Sequence, residues 1–113
     1  MRIDNAPQTP EWEVQILHDI VDTPEDGNVD VVVTLRNGDR YGATFFTMDN
    51  IKHLFRKFAE SGECVNGLYF WATDMVLVQR LDRWTIEQTI AGLVAEDLFT
   101  KVFGRLRPVA DDQ

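Results

Sequence analysis

Few side chains in this chain have the type and spacing that chemistry needs. The two histidines, His18 and His53, have no metal partner at a recognised interval, since HxxxH, HExxH and CxxC are all absent. Asp49 and His53 lie four apart and would share one helical face, but two ligands fall short of a metal site, and a solvated helix histidine is the plainer reading. Cys64 is the single cysteine. It could serve as a nucleophile with His53 as its base. Its setting, SGECVNG, reads as the exit loop of a helix with no third group to orient the base, so a packed or idle loop cysteine is expected. Asp74 interrupts an apolar run beside Trp71. Buried there, its carboxyl would ionise reluctantly and could exchange protons, but an Asp at such a break more often accepts backbone N–H groups in a turn. GxGxxG, GxxxxGKS and GxSxG do not occur. The residues therefore favour a non-enzymatic chain without cofactor or metal. The alternative is a small-ligand or enzyme site near Cys64, Asp74 and Trp71.

The positive features are aromatic and electrostatic. Tyr69-Phe70-Trp71 and Phe45-Phe46 are the densest aromatic groups. Alternation along a strand would send Tyr69 and Trp71 to one face and Phe70 to the other, and would split Phe45 from Phe46. With helices on one face only, some of these rings must meet solvent or another chain, as aromatic hot spots do. The net charge is −8, and residues 1–30 hold eight acids and one base. Residues 31–59, by contrast, hold two acids and five bases. An acidic chain without clustered Lys and Arg disfavours nucleic acid; it suits solubility or a basic protein partner. The expected partner surface is Phe46, Tyr69 and Trp71, with Glu11, Glu13, Asp22, Glu25 and Asp26. A homodimer closing the same apolar sheet face is the other reading.

These residues must be held by a small number of elements. Residues 11–18 (EWEVQILH) alternate, with Trp12, Val14 and Ile16 on one face, and read as a half-buried strand. Residues 29–36 and 40–47 flank Asn37-Gly38 and form a hairpin. A two-residue turn would mix the two faces. A three-residue loop with Gly38 left-handed sets Val33 opposite Tyr41, Val31 opposite Ala43 and Val29 opposite Phe45, leaving one face wholly apolar, and this register is expected. Residues 49–61 read as a helix carrying Ile51, Leu54, Phe55 and Phe58, capped by Thr47 or Asp49 and ended by Gly62. Strands follow near 68–72 and 75–80, the second placed centrally because Met75–Val78 is apolar on both faces. Thr85-Ile-Glu-Gln88 fits a capping box for a helix that Ala95–Asp97 breaks in two, although one longer helix is the alternative. The result is an α+β domain, order β-β-β-α-β-β-α, with an antiparallel-rich sheet of about five strands and two or three helices mainly on one face.

At 113 residues the chain is one domain, residues 1–113, with loose ends at 1–10 and 109–113. One cysteine excludes an internal disulfide, and no run approaches the ~20 apolar residues of a membrane span, so a cytoplasmic, soluble protein is expected.

The segment RYGATFFTMDNI…FAESGECVNGLYFWATDMVLV resembles small single-domain bacterial proteins, some of them similar to immunity proteins of polymorphic toxin systems. The likeness covers roughly residues 31–80. It implies a non-catalytic protein that binds and blocks a partner. The acidic N-terminal third would then suit a basic toxin such as a nuclease.

Overall fold

The computed structural model describes residues 12–17 and 25–107. Alternation makes the first strand: β1 (Trp12–Ile16) turns Trp12, Val14 and Ile16 inward and leaves Glu13 and Gln15 exposed. β1 pairs antiparallel with β2 (Asn28–Leu35), and β2 pairs antiparallel with β3 (Arg40–Thr47). The hairpin has the clean register. Val33 faces Tyr41, Val31 faces Ala43, Val29 faces Phe45 and Thr34 faces Arg40. Its loop is Arg36-Asn37-Gly38. Gly38 takes a φ of 96°, a left-handed value that costs a glycine nothing. The Leu35 N–H closes the loop by donating to the Asp39 carbonyl at 2.8 Å, and the Asn37 side-chain oxygen accepts from the Asp39 N–H at 2.9 Å.

Helix α1 (Met48–Ser61) follows β3 directly. The Thr47 hydroxyl accepts from the Asn50 N–H at 3.2 Å and fixes the start, while Gly62, at φ 89°, ends the helix with its N–H on the Phe58 carbonyl. A short turn, α2 (Glu63–Gly67), comes next. β4 (Met75–Val78) then runs parallel to β3, α3 (Arg83–Ala95) and α4 (Phe99–Val102) follow, and β5 (Gly104–Arg105) returns antiparallel to β3. The sheet order is β1-β2-β3-β4, with β5 sharing the far edge of β3. The class is α+β and the sheet antiparallel-rich, as the sequence implies.

Three details differ from the sequence expectation, and one open alternative is settled. Residues 68–72 are not a strand, because Phe70 leaves the extended path to pack under α1, and the fifth strand is the C-terminal β5. β4 is a border strand rather than a central one. Among the described residues its other edge meets no strand, and Leu77 stays 49% exposed. The N-cap of helix α3 lies three residues before that of the proposed capping box, because Asp82 is the better-placed cap and accepts from the Thr85 N–H at 2.7 Å. The break after Ala95 is real: Asp97 takes a positive φ of 61° and separates α3 from α4.

The core lies on one face of the sheet. Val29, Val31, Val33, Ala43 and Phe45 meet Ile86 and Ile90 of α3 and Phe99 and Phe103 around α4. Phe45 and Phe103 meet edge-to-face at 6.0 Å, and Phe99 stacks on Phe103 at 4.6 Å. Phe45→Ala should lower stability by about 3–5 kcal/mol, since Phe45 is 0% exposed. Leu77→Ala on the open side should stay within about 0.5 kcal/mol. Urea unfolding of the two variants checks the contrast, and equal losses would contradict this assignment of faces.

Candidate functional site

The residues put forward for a partner surface do not all come together. Glu11 and Asp22 lie outside the described residues. Glu13 is exposed on β1, three strand spacings (about 14 Å) from β4. Glu25 and Asp26 are engaged within the chain. The Arg80 guanidinium bridges Glu25 and Asp82, and His53 Nδ1 lies 2.8 Å from Asp26 Oδ2. Phe46 is buried, 5% exposed, under the edge of Phe70 at 5.2 Å, so it supports a surface rather than presenting one. Tyr69 and Trp71 are displayed as expected, 46% and 68% exposed.

The display has a mechanical origin. Phe46 points away from the main core, since its neighbour Phe45 points into it. Phe70 covers it and also meets Phe55 at 6.5 Å and Phe58 at 6.4 Å on α1. These four rings form a second, smaller cluster. Fixing Phe70 inward leaves its neighbours on the outside. Leu68, Tyr69 and Trp71 are exposed, and Val65 and Phe55 lie beside them in sequence or packing.

α2 aims this segment. Cys64, Val65 and Asn66 have φ values of 52°, 52° and 58°, so the turn winds left-handed. Such a conformation costs a non-glycine residue roughly 1–2 kcal/mol, and a β-branched residue there is a genuine outlier. The Asn66 N–H donates to the Gly62 carbonyl at 3.2 Å and the Leu68 N–H to the Cys64 carbonyl at 2.9 Å, holding the turn. It closes on Gly67, whose Cα approaches α1 so tightly that a methyl group would lie 2.7 Å from the Phe55 carbonyl oxygen. No single sequence signal marks the left-handed run. Gly62 and Gly67 at its two ends are the nearest thing to one.

The alternative site near Cys64, Asp74 and Trp71 is dispersed. Cys64 sits in α2, and His53, its proposed base, turns Nδ1 to Asp26 instead. Asp74 is a turn residue. Its φ is 53°, its carbonyl accepts from the Thr44 N–H at 3.0 Å, and its carboxylate rests on Gly104 where β4 and β5 diverge. It lines an open groove of about 360 Å³ with Asp30, Arg40, Thr44 and Leu106, a groove that neither Cys64 nor Trp71 lines. A second cleft, of about 440 Å³, opens between Trp12 and Leu35 on the sheet and Val94 and Phe99 on the helices. No three metal-ligating side chains converge among the described residues, and no described helix is long and apolar enough to cross a membrane.

The Arg80 bridge is the best-defined electrostatic feature. Asp82 is held below the ordinary carboxylate range, first by the Thr85 backbone N–H and then by the Thr85 and Arg80 side chains. Arg80 is raised, first by its hydrogen bond to Asp82 and then by the charge of Glu25.

The fold thus defines an α+β domain with a helix-covered core face and an exposed aromatic segment beside α1. No family model, curated protein or solved structure matches the chain.

Two measurements follow from this geometry. Val65 is 63% exposed and left-handed, so Val65→Gly should raise stability by about 1 kcal/mol, whereas Gly67→Ala, strained and colliding with α1, should lower it by ~2 kcal/mol or more. Thermal unfolding of both variants reads the pair, and a destabilised Val65→Gly would refute the left-handed turn. A carboxyl whose folded pKa is depressed stabilises above its unfolded pKa, and that contribution is lost as pH falls through the folded value. Wild type should therefore melt above Asp82→Asn at neutral pH, and the gap should close as pH drops below the ordinary carboxylate range. A gap independent of pH would show that the charge is irrelevant.

Proposed function

We propose that this chain is a non-catalytic protein-binding module acting by surface contact, in the manner that its resemblance to immunity-type inhibitors implies. The observation that carries the reading is the exposed apolar segment Leu68-Tyr69-Phe70-Trp71, whose Phe70 ring packs inward. Leu68 is 75% exposed and Trp71 68%. With Tyr69, Val65 and Phe55 they leave on the order of 500 Å² of apolar surface in water, the size at which a patch marks an interaction site. Exposing these rings gains the monomer nothing, because nearly all the stabilisation from burying them is forgone. Burying Phe70 while displaying both of its neighbours demands a specific backbone path. Tyr and Trp are the residues that dominate binding energy at interfaces, combining large area with few rotatable bonds.

The test compares wild type with the triple variant Leu68→Ser, Tyr69→Ala, Trp71→Ala. All three side chains are exposed, so the variant should fold with a nearly unchanged melting temperature. Wild type used as bait should retain a stoichiometric protein, and the variant should bind that protein at least ~30-fold more weakly, the loss of ~2 kcal/mol expected at a hot spot. A partner held equally well by the variant, or no stoichiometric partner at all, would overturn the reading. Light scattering that shows a dimer for wild type and a monomer for the variant would instead make the occupant a second copy of the chain.

A further inference from the structure

Resting on that reading, we infer that the aromatic surface takes an acidic polypeptide, one that offers apolar anchors flanked by Asp or Glu, rather than the basic partner that the chain's net charge suggests.

The first observation is the layout of α1. At about 100° per residue, Ile51, Leu54, Phe55 and Phe58 share one arc of the helix. Lys52 falls about 60° beyond the Phe55 edge of that arc and Lys57 about 60° beyond the Leu54 edge, while Arg56 falls on the far side. The two acids of the helix, Asp49 and Glu60, fall opposite it. The border of the apolar arc is therefore cationic on both flanks. Despite its pronounced amphipathic pattern, α1 has no buried residue, and Phe55 is 36% exposed. The arc is only partly covered, by Phe70.

The second observation is that these cations are uncommitted. Lys52, Arg56 and Lys57 are exposed, and among the described residues no carboxylate pairs with any of them. The acids that flank the displayed segment in sequence are Glu63 and Asp74. Glu63 accepts from the Ser61 hydroxyl at 2.8 Å, and Asp74 is turned onto Gly104. The displayed segment itself, residues 68–73, has no charge. Long Lys and Arg side chains at the rim of an apolar patch can lay their methylenes on it and aim their charges at whatever docks there. Rim charges of one sign select partners of the other and speed their association. A twofold pairing of this surface with itself would bring cation against cation, which disfavours a second copy.

The probes are two labelled synthetic amphipathic peptides with identical Leu and Phe anchors at helical spacing. One has Glu and the other Lys at every remaining position, and a labelled oligothymidylate is the third arm. Fluorescence anisotropy on the full chain should show the Glu peptide binding ~10-fold or more tightly than the Lys peptide at low salt. That ratio should shrink as salt is raised. The charge reversal Lys52→Glu with Lys57→Glu, at two exposed positions and with an unchanged melting temperature, should reverse the preference. Equal binding, preference for the Lys peptide, or binding of neither peptide overturns the acidic-partner inference. If the bait experiment still yields a partner dependent on Trp71, the protein-binding reading survives that failure. Preferential capture of the oligonucleotide would overturn both, since stacking rings beside cations also suit single strands.

Discussion

The conformation of Gly38 sets the alignment of the two longest strands, and most of the structure depends on that alignment. A left-handed residue at the end of the loop shifts β3 by one position against β2. The shift decides which side of the sheet each of eight consecutive residues occupies. With it, Val29, Val31, Val33, Ala43 and Phe45 form one apolar face, against which α3 and α4 bury Ile86, Ile90, Phe99 and Phe103. Without it, Tyr41, Ala43 and Phe45 would leave that face and the helices would have no continuous surface to cover. The same alignment leaves Asp30 and Thr44 on the opposite face, where the Thr44 hydroxyl donates to the Asp30 carboxylate at 2.6 Å. It also sends Phe46 there as the one large aromatic of β3 away from the core.

Phe46 creates the second packing problem of the molecule, and its solution makes the surface. No part of the main core reaches it, so a ring must be brought from elsewhere. Phe70 is that ring, wedged between Phe46 and the Phe55 and Phe58 rings of α1. The chain has only the span from Gly62 to Asp74 in which to leave α1, deliver Phe70 and enter β4 parallel to β3. A left-handed turn accomplishes the reversal, with Gly67 pressed against the α1 backbone. The strain at Val65 and the exposure of Trp71 thus share a cause: both follow from the path that buries Phe70.

Where the sequence was legible, the signal was local and redundant. The hairpin register could be read because only one alignment separates apolar from polar residues. The α1 caps could be read because Thr47 and Gly62 are the residue types that the two helix ends require. The strand proposed at 68–72 shows where pattern reading stops. Leu68–Ala72 is apolar and aromatic, as a buried strand would be, but its alternation serves a single inward ring and not a ladder. β4 was misplaced for a related reason. An apolar run reads as central whether its outward residues are covered by strands or, like Leu77, left open. Nor could the sequence show that Glu25 and Asp26 are held by Arg80 and His53, since those contacts join residues far apart in the chain.

Those contacts change what the net charge means. A total of −8 describes the field felt far from the molecule, and within roughly 8 Å at physiological salt the nearest uncompensated groups decide. Along the edges of the apolar arc of α1 those groups are Lys52 and Lys57. Much of the acidic surplus belongs to the first 30 residues, and among the described acids there Glu25 is paired with Arg80 and Asp26 is in contact with His53 Nδ1. A basic partner would meet long-range attraction but would arrive at a cationic rim. An acidic one would meet mild long-range repulsion and then find complementary charge at the contact, where desolvation strengthens it. Long-range and contact electrostatics therefore point to partners of opposite sign. Because binding energy accumulates at the contact, the rim of α1 is the better guide to the proposed partner.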